Sequence, residues 1–347
     1  MFNNSNKTTK HSVNKCSVLF NKFRKCLVRT ASIITCTAIV ATSVTPAFAA
    51  GITSGTTAAS SYVISNGTTA AKSSVISNEV STDTSVSWPQ APDITCESAI
   101  LVDADTGSIL YEKDAHRKCY PASTTKILTG LLTIENCNLS DTLTFSTAAA
   151  NSINPIEDAN LGMKAGEELT VEQALYALLL YSANEVAYAL AEKVAGSIDA
   201  FVDMMNEKAQ EIGATNTHFE NCHGLHSDDH YTTAYDLYLI LDEFSKHDLA
   251  YMIDSLSTYD FTYTDADGNE QVVTIEPTNE YLTGEVNLPD GYSIGSWKTG
   301  TTEEALNCLI MELKNDSTGH EYVAIIAGAD GKEALYSGMT EMINTAK

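Results

Sequence analysis

An α+β fold, with one antiparallel sheet assembled from both ends of the folded region, is predicted by three observations. Strand patterns open that region near Ser98 and close it near Tyr322. Between them, apolar residues recur at helical spacing over a long stretch. The strands come in hairpin pairs joined by turn residues, which sets them antiparallel and keeps them apart from the helices.

The elements follow in order. Ser98-Ala99-Ile100-Leu101-Val102 is an apolar strand, Asp105-Thr106-Gly107 a turn and Ser108-Ile109-Leu110-Tyr111 a second strand, giving a hairpin. After Pro121 the pattern is helical over residues 123–134. Residues 175–194, rich in Ala and Leu, are long enough for a buried helical hairpin. Residues 200–212 and 233–244 read as amphipathic helices. Residues 258–264 read as a strand before the turn Asp265-Ala266-Asp267-Gly268. Residues 306–313 and 322–327 are strands joined through Asn315-Asp316-Ser317-Thr318-Gly319, and residues 333–345 form a closing helix.

The chain has 347 residues, and its beginning is expected to lie outside this fold. Lys7, Lys10, Lys15, Lys22, Arg24, Lys25 and Arg29 make a basic head without an acid. An apolar run over residues 31–44 follows, then Ala47-Phe48-Ala49, a small-x-small cleavage pattern. Residues 1–49 therefore read as a signal peptide cut after Ala49, the alternative being an uncleaved anchor. Residues 50–90 are a Ser/Thr-rich linker, in which Gly55-Thr56-Thr57-Ala58-Ala59 recurs as Gly67-Thr68-Thr69-Ala70-Ala71. The folded domain is expected over 91–347.

With 45 acidic against 20 basic residues the net charge is −25. Loss of the basic head makes the remainder more acidic still. That excludes nucleic acid as a partner, since phosphate binding needs a basic face, and it argues against adhesion to anionic lipid. It suits a soluble protein outside the cytoplasm. Cys96, Cys119, Cys137, Cys222 and Cys308 would remain after cleavage; an odd, scattered set reads as buried free thiols rather than a disulfide framework.

Three short elements carry chemistry. In Ser123-Thr124-Thr125-Lys126 the serine and lysine lie at i and i+3 and share a helix face. The free N–H groups of a helix start favour negative charge developing on oxygen there, and Lys126, if neutral, could take the Ser123 proton. Ser182-Ala183-Asn184 interrupts the apolar run Leu178-Leu179-Leu180-Tyr181, and a polar break in a buried helical pair needs partners, in a cleft or in an ordinary turn. Lys298-Thr299-Gly300, on a strand edge, would present a cation and a hydroxyl to a carboxylate, with Gly300 allowing close approach. Together these are the parts of an acyl-transfer site without histidine.

Two rival sites compete. Gly291-Tyr292-Ser293-Ile294-Gly295 matches a nucleophile elbow, but Pro289-Asp290-Gly291 sets a turn before a strand rather than a strand before a helix. His218, Cys222, His223, His226 and His230 with Asp228 and Asp229 look like a metal cluster, but their spacing fits no standard zinc pattern.

The three elements resemble the motifs of the serine D-alanyl-D-alanine carboxypeptidases, the low-molecular-weight penicillin-binding proteins. The resemblance runs over residues 91–347 and includes the Asp-x-x-Thr-Gly turn beginning at Asp103. It also includes Asn221, Gly224-Leu225, His230, Thr233-Ala234 and Asp236, which accounts for most of the histidine cluster without a metal. It implies a β-lactamase/transpeptidase-like fold, an antiparallel sheet flanked by helices plus a mostly helical lobe, with the cleft between. Ser123 would attack the bond between the terminal D-alanines of a peptidoglycan stem peptide, with Lys126 as base and Ser182 relaying a proton. Asn184 would hold the peptide, Lys298, Thr299 and Gly300 would receive the terminal carboxylate, and the N–H groups of Ser123 and Thr301 would form the oxyanion hole.

The resemblance further implies that β-lactams acylate Ser123 and that neither metal nor cofactor is needed. A serine β-lactamase, or a non-catalytic peptidoglycan- or β-lactam-binding module, are the alternatives. The sequence departs from the family at Ala305-Leu306, where Ala-Gly is usual, and at Cys222-His223. The family's C-terminal β-domain and amphipathic anchor have no counterpart after the closing helix, so no stable membrane anchor is expected and the protein should be secreted and cell-wall associated.

Overall fold

Nine strands and eight α-helices make up the described part of the chain, residues 92–247 and 256–346 of a computed structural model. The residues read above as a signal peptide and a linker lie outside the described part. The opening hairpin is β1 (Ser98–Asp103) and β2 (Ser108–Lys113). A 3₁₀ turn, Ala122–Thr125, leads into α1 (Lys126–Asn136). Then come β3 (Thr142–Thr144), α2 (Thr147–Ala150), β4 (Glu168–Thr170), α3 (Val171–Leu179), α4 (Asn184–Ala195), α5 (Ile198–Glu211) and α6 (Ala234–Phe244). The chain returns through β5 (Tyr259–Thr264), β6 (Glu270–Ile275), α7 (Glu280–Thr283), β7 (Tyr292–Thr302), β8 (Leu306–Asn315), β9 (Glu321–Ala329) and α8 (Lys332–Asn344).

The main sheet has the order β2-β1-β9-β8-β7, every neighbour antiparallel. Both ends of the domain build it, as the strand patterns predict. β9 occupies the middle and is buried from Tyr322 to Ala329, so its sequence is a continuous apolar run rather than an alternation. Successive residues of β9 face opposite sides. A Cβ on Gly338 of α8 would press on Ile326, whereas Ala327 clusters with Cys119, Ala122, Ala305 and Cys308. Helix α8 therefore covers one face, and the strap that leads to Ser123 lies under the other. β5 and β6 pair as a separate hairpin, of which the sequence indicates only the first strand and the turn.

Helix α1 is the hub of the helical lobe. Its first eight residues, Lys126 to Thr133, are all buried, which is the pattern of a helix enclosed on every side. Its polar side chains are satisfied locally: Thr129 Oγ1 donates to the Cys222 carbonyl (2.6 Å) and Thr133 Oγ1 to the Thr129 carbonyl (2.8 Å). The neighbouring helices have sound starts. Thr170 and Gln173 form a capping box on α3, Ser197 caps α5 and Thr233 caps α6. Helix α4 lacks such a cap, because Ala183 holds its cap position; the sequence there is given over to the Ser182–Asn184 element.

Gly338 has a packing role. Any side chain there meets Ile94 and Ile326, so the glycine sets how closely α8 approaches the sheet. Gly338→Val is expected to destabilise the protein by about 1–3 kcal/mol through overpacking, read as a lower melting temperature; an unchanged melting curve would show that α8 has room to move.

Candidate active site

Ser123, Lys126, Ser182, Thr299, Gly300 and Thr301 are far apart in sequence and come together at one cleft. Three elements supply them: the turn before α1, the connection between α3 and α4, and the outer strand β7. Ser123, Ser182, Thr299, Gly300 and Thr301 line a cavity of about 260 Å³, together with Ala159 and Thr278.

Ser123 stands in the 3₁₀ turn, one residue beyond Ala122, whose φ of 48° is unusual for a side-chain-bearing residue. Lys126, a turn later, points back so that its Nζ donates to Ser123 Oγ at 2.8 Å. The same Nζ donates to the His223 carbonyl at 2.6 Å. Lys126 is wholly buried, and burial lowers its pKa to about 7. A lysine that is half neutral near neutrality and already bonded to a serine hydroxyl can accept that proton.

Lys298 is also wholly buried. Its Nζ donates to the Thr299 carbonyl of the same strand (2.9 Å). Burial first, and the positive charge of Lys126 second, hold its pKa well below the usual lysine range. Thr299, Gly300 and Thr301, the residues that follow it on β7, line the cavity. Thr278 Oγ1 is bonded to Thr299 Oγ1, and the Thr278 N–H reaches the Leu180 carbonyl, so residue 278 bridges β7 and the α3–α4 connection.

Ser182 adopts a left-handed φ of 69°, in a turn that places its side chain at the cleft. Asn184 opens α4; its N–H donates to the Ala159 carbonyl (2.8 Å), and its side-chain Oδ1 is buried without a partner. An unsatisfied buried amide oxygen is unusual in a folded protein.

The 221–233 stretch builds the floor. His230 Nδ1 accepts from the Glu220 N–H (3.0 Å), so its Nε2 carries the proton and donates to Thr125 Oγ1 (2.9 Å). Burial keeps the His230 and His223 rings neutral, each lowered to about 3. His218 Nδ1 bonds the Asp229 carbonyl (2.6 Å), and the His223 ring accepts from the Leu225 N–H (3.1 Å). These side chains are thus engaged separately. Among the described residues, the ligand atoms that gather are instead those of Asp103, Asp105 and His320, at the β1–β2 turn and before β9. Ser293 is exposed inside β7, paired with Lys314, and is no strand-to-helix elbow.

Cys96, Cys119, Cys137, Cys222 and Cys308 are all free thiols, as the sequence suggests. Burial raises the Cys222 thiol to about 12 and Cys308 to about 11, so neither is a thiolate at neutral pH. Leu306, at the position where the resemblance calls for glycine, has a φ of 55°, the backbone that glycine adopts without strain.

Sequence reasoning missed the roles of the His223 carbonyl and of residues 159 and 278, which no motif marks. It also gave Gly224 no physical role. A Cβ on Gly224, whose φ is 91°, would overlap the Ala122 carbonyl. One on Gly300 would lie 3.0 Å from both the Pro121 carbonyl oxygen and the Ser123 nitrogen. Gly224→Ala should therefore cost at least about 3 kcal/mol, combining backbone strain with a clash that displaces Ala122 and Ser123. Thermal unfolding checks it, and a loss under about 1 kcal/mol would mean the 221–225 loop can retreat freely.

The sequence matches the family D-alanyl-D-alanine carboxypeptidase, peptidase S11, over residues 85–331. It is 32% identical over 258 residues to D-alanyl-D-alanine carboxypeptidase DacF of Bacillus subtilis, covering 72% of this chain and 61% of DacF. It is 35% identical over 159 residues to D-alanyl-D-alanine carboxypeptidase DacA of Escherichia coli K12, covering 44% of this chain and 40% of DacA. The chain thus spans less than two thirds of these curated relatives. Its fold is similar to the crystal structure of the Streptomyces K15 DD-transpeptidase, with a TM-score of 0.68 at 26% identity, over 74% of this chain and 98% of that one. A D-alanyl-D-alanine carboxypeptidase from Mycobacterium tuberculosis H37Rv gives a TM-score of 0.64 at 26% identity, over 74% and 92%.

Proposed function

The chain belongs to the D-alanyl-D-alanine carboxypeptidase family, peptidase S11, and on that premise we propose that it removes the terminal D-alanine from peptidoglycan stem peptides through an acyl-enzyme, outside the cytoplasm. The observation that carries this reading is the contact between a desolvated Lys126 amine and the Ser123 hydroxyl, at 2.8 Å.

Neutral Lys126 takes the Ser123 proton as Oγ attacks the scissile carbonyl carbon. The developing oxyanion is received by the N–H groups of Ser123 and Thr301, which the close approach of Gly300 to Ser123 brings to one side of the cleft. Ser182 gives its proton to the departing amine of D-alanine and is reprotonated by Lys126, so that the C–N bond breaks and Lys126 is neutral again. Water, deprotonated by the same lysine, then attacks the ester and frees Ser123. Asn184 Oδ1, unpartnered in the protein, accepts from a peptide N–H of the acyl part. Thr299, Thr301 and Lys298 hold the terminal carboxylate; a bound carboxylate restores the Lys298 charge that burial suppresses. β-Lactams enter as mimics of the same substrate. No step calls on a metal or a cofactor.

Incubation with benzylpenicillin should add one penicilloyl group, and peptide mapping should place it on Ser123. A label elsewhere, or none, would sink the assignment. Slow release of that adduct together with D-alanine release from a D-alanyl-D-alanine peptide fits a carboxypeptidase; rapid penicillin turnover without peptidase activity identifies a β-lactamase, and a stable adduct without either identifies a binding module.

Lys126 also sets a pH dependence. Because the neutral amine is the base, acylation should rise about tenfold per pH unit below about 7 and level off above it. Second-order acylation rates over pH 5 to 8 would measure this, and a flat profile removes Lys126 from the role.

Lys298→Ala should lower kcat/KM for the free-carboxylate peptide by about ten- to a hundredfold, the size of a charge-assisted contact. A C-terminally amidated peptide should lose much less. Equal losses on both would show that Lys298 supports β7 without anchoring the carboxylate.

A further inference from the structure

Three metal-ligating side chains meet at the end of the main sheet away from the cleft. Asp103 closes β1, Asp105 stands in the turn that follows, and His320 immediately precedes β9. His320 Nδ1 lies 3.3 Å from Asp105 Oδ2 and 3.8 Å from Asp103 Oδ2. The three donor atoms are all within 4.8 Å of one another. Asp103 pairs with Tyr322 at the start of β9, whereas Asn307, which lines the Ser123 cavity, pairs with Ala329 at its end. From Tyr322 to Ala329 a strand rises about 23 Å. The trio is thus separate from the acylation chemistry.

A simple ion pair is the first reading to weigh, with a protonated His320 offsetting two acids. An exposed pair gains most when the ring N–H points at an oxygen. Among the described residues, His320 Nδ1 makes no such hydrogen bond: its contacts with the two carboxylates are close in space but not in line. Donors set around a common point have this form. A tetrahedral zinc ion, with bonds of about 2.0–2.2 Å to nitrogen and oxygen, holds its donors about 3.3–3.5 Å apart. The Asp105 separation fits that spacing, and the Asp103 separation reaches it by a small turn of the carboxylate.

The surroundings hold these donors in place. Asp103 Oδ1 accepts from the Thr106 N–H (3.0 Å), which leaves Oδ2 for the ion. Asp105 Oδ2 accepts from the Glu321 N–H (3.1 Å), and the His320 ring lies at 29° to that of Tyr322, with 6.4 Å between centroids. The backbones that carry the donors are already joined, since the Ala104 N–H donates to the Glu321 carbonyl and the Asn315 N–H to the His320 carbonyl, both at 2.8 Å. Little ordering is therefore left for binding to accomplish. The side chains of Asp105 and His320 are half exposed, so an ion can enter and keep water as its fourth ligand.

The donor set selects the ion. Calcium and magnesium take shells of oxygen, and a ring nitrogen is a poor substitute. One imidazole with two carboxylates suits zinc and similar divalent transition ions. We propose that Asp103, Asp105 and His320 form a structural site for such an ion, zinc by preference, which clips the β1–β2 turn to the turn between β8 and β9. The clip joins the first strand of the domain to the last, in the sheet that both ends of the domain build.

The test uses the exported protein, freed of metal by a chelator and titrated with zinc chloride by calorimetry and thermal unfolding. One ion should bind per chain, and a hundredfold excess over Kd should raise the melting temperature by about 5–10 °C. Calcium and magnesium chloride should bind at least about tenfold more weakly. His320→Ala and Asp105→Asn should each lower zinc affinity by about a hundredfold or more, because changes one shell further out already cost about ten- to a hundredfold. Both residues lie in exposed turns, so in chelator the two variants should melt close to the native protein. Absence of zinc binding to the native protein overturns the proposal. So does binding that both variants keep and that His218→Ala or His226→Ala removes, which would mark adventitious zinc on the other histidines. Preference for calcium over zinc would also overturn it.

Discussion

The arrangement depends on two fully buried lysine side chains beside one serine at the edge of the cleft. Water would keep both amines protonated, and neither could act as a base near neutral pH. Burial inverts this. Lys126 and Lys298 each have no solvent exposure, and each disfavours charge on the other. The fold must enclose these amines, and that explains much of its architecture. Helix α1 is buried on every side to bring Lys126 inward. The floor loop offers the amine a carbonyl oxygen instead of water. β7 offers the Lys298 amine the carbonyl of Thr299.

Enclosure is reached by letting backbones touch where side chains usually intervene. Gly224 meets the Ala122 carbonyl, and Gly300 meets the Ser123 nitrogen. Three of the four side-chain-bearing described residues with positive φ gather here, Ala122, Ser182 and Leu306; Asp114 is the fourth. Each such position is worth about 1–3 kcal/mol of strain, so the surrounding core has to hold them in place. That core is continuous from the sheet through α1 to α3, α4 and α6. The strain also has a direction. Ala122 turns the chain so that Ser123 leaves the strap at its exposed edge, and Ser182 breaks the α3–α4 pair so that its hydroxyl reaches the same cleft.

The sheet built from both termini was legible in the sequence because its strands are long and their apolar runs unbroken. The helical lobe was legible for the same reason. The three-residue strands β3 and β4 and the one-turn helices α2 and α7 were not, since pieces so short have no period to read. β6 was missed because its exposed Val272 and polar neighbours alternate weakly. At the site, Ser123, Lys126 and Ser182 were found by spacing and by a polar break in an apolar run. The burial of Lys298 was not foreseen. A lysine beside a threonine and a glycine in a strand reads as exposed, and only tertiary packing buries it.

Two buried amines that repel each other form a coupled pair, and the coupling bears on the proposed reaction. In the empty cleft the cluster holds less positive charge than two ordinary lysines would. A carboxylate arriving over Thr299 and Thr301 is a negative charge close to Lys298, and it favours protonation there. Once Lys298 is charged, its field further disfavours a proton on Lys126. In the proposed reaction, carboxylate binding would thus place positive charge on Lys298 rather than on the amine beside Ser123. On this reading the substrate's own terminal charge readies the base, and a peptide without a terminal carboxylate would bind with Lys126 less prepared. The preference for cutting at a chain end would then follow from electrostatics inside the pocket as well as from the fit of the carboxylate. It would also survive the strongly acidic character of the whole chain, because charges on its exterior are screened over about 8–10 Å at physiological ionic strength, while buried charges are screened much less.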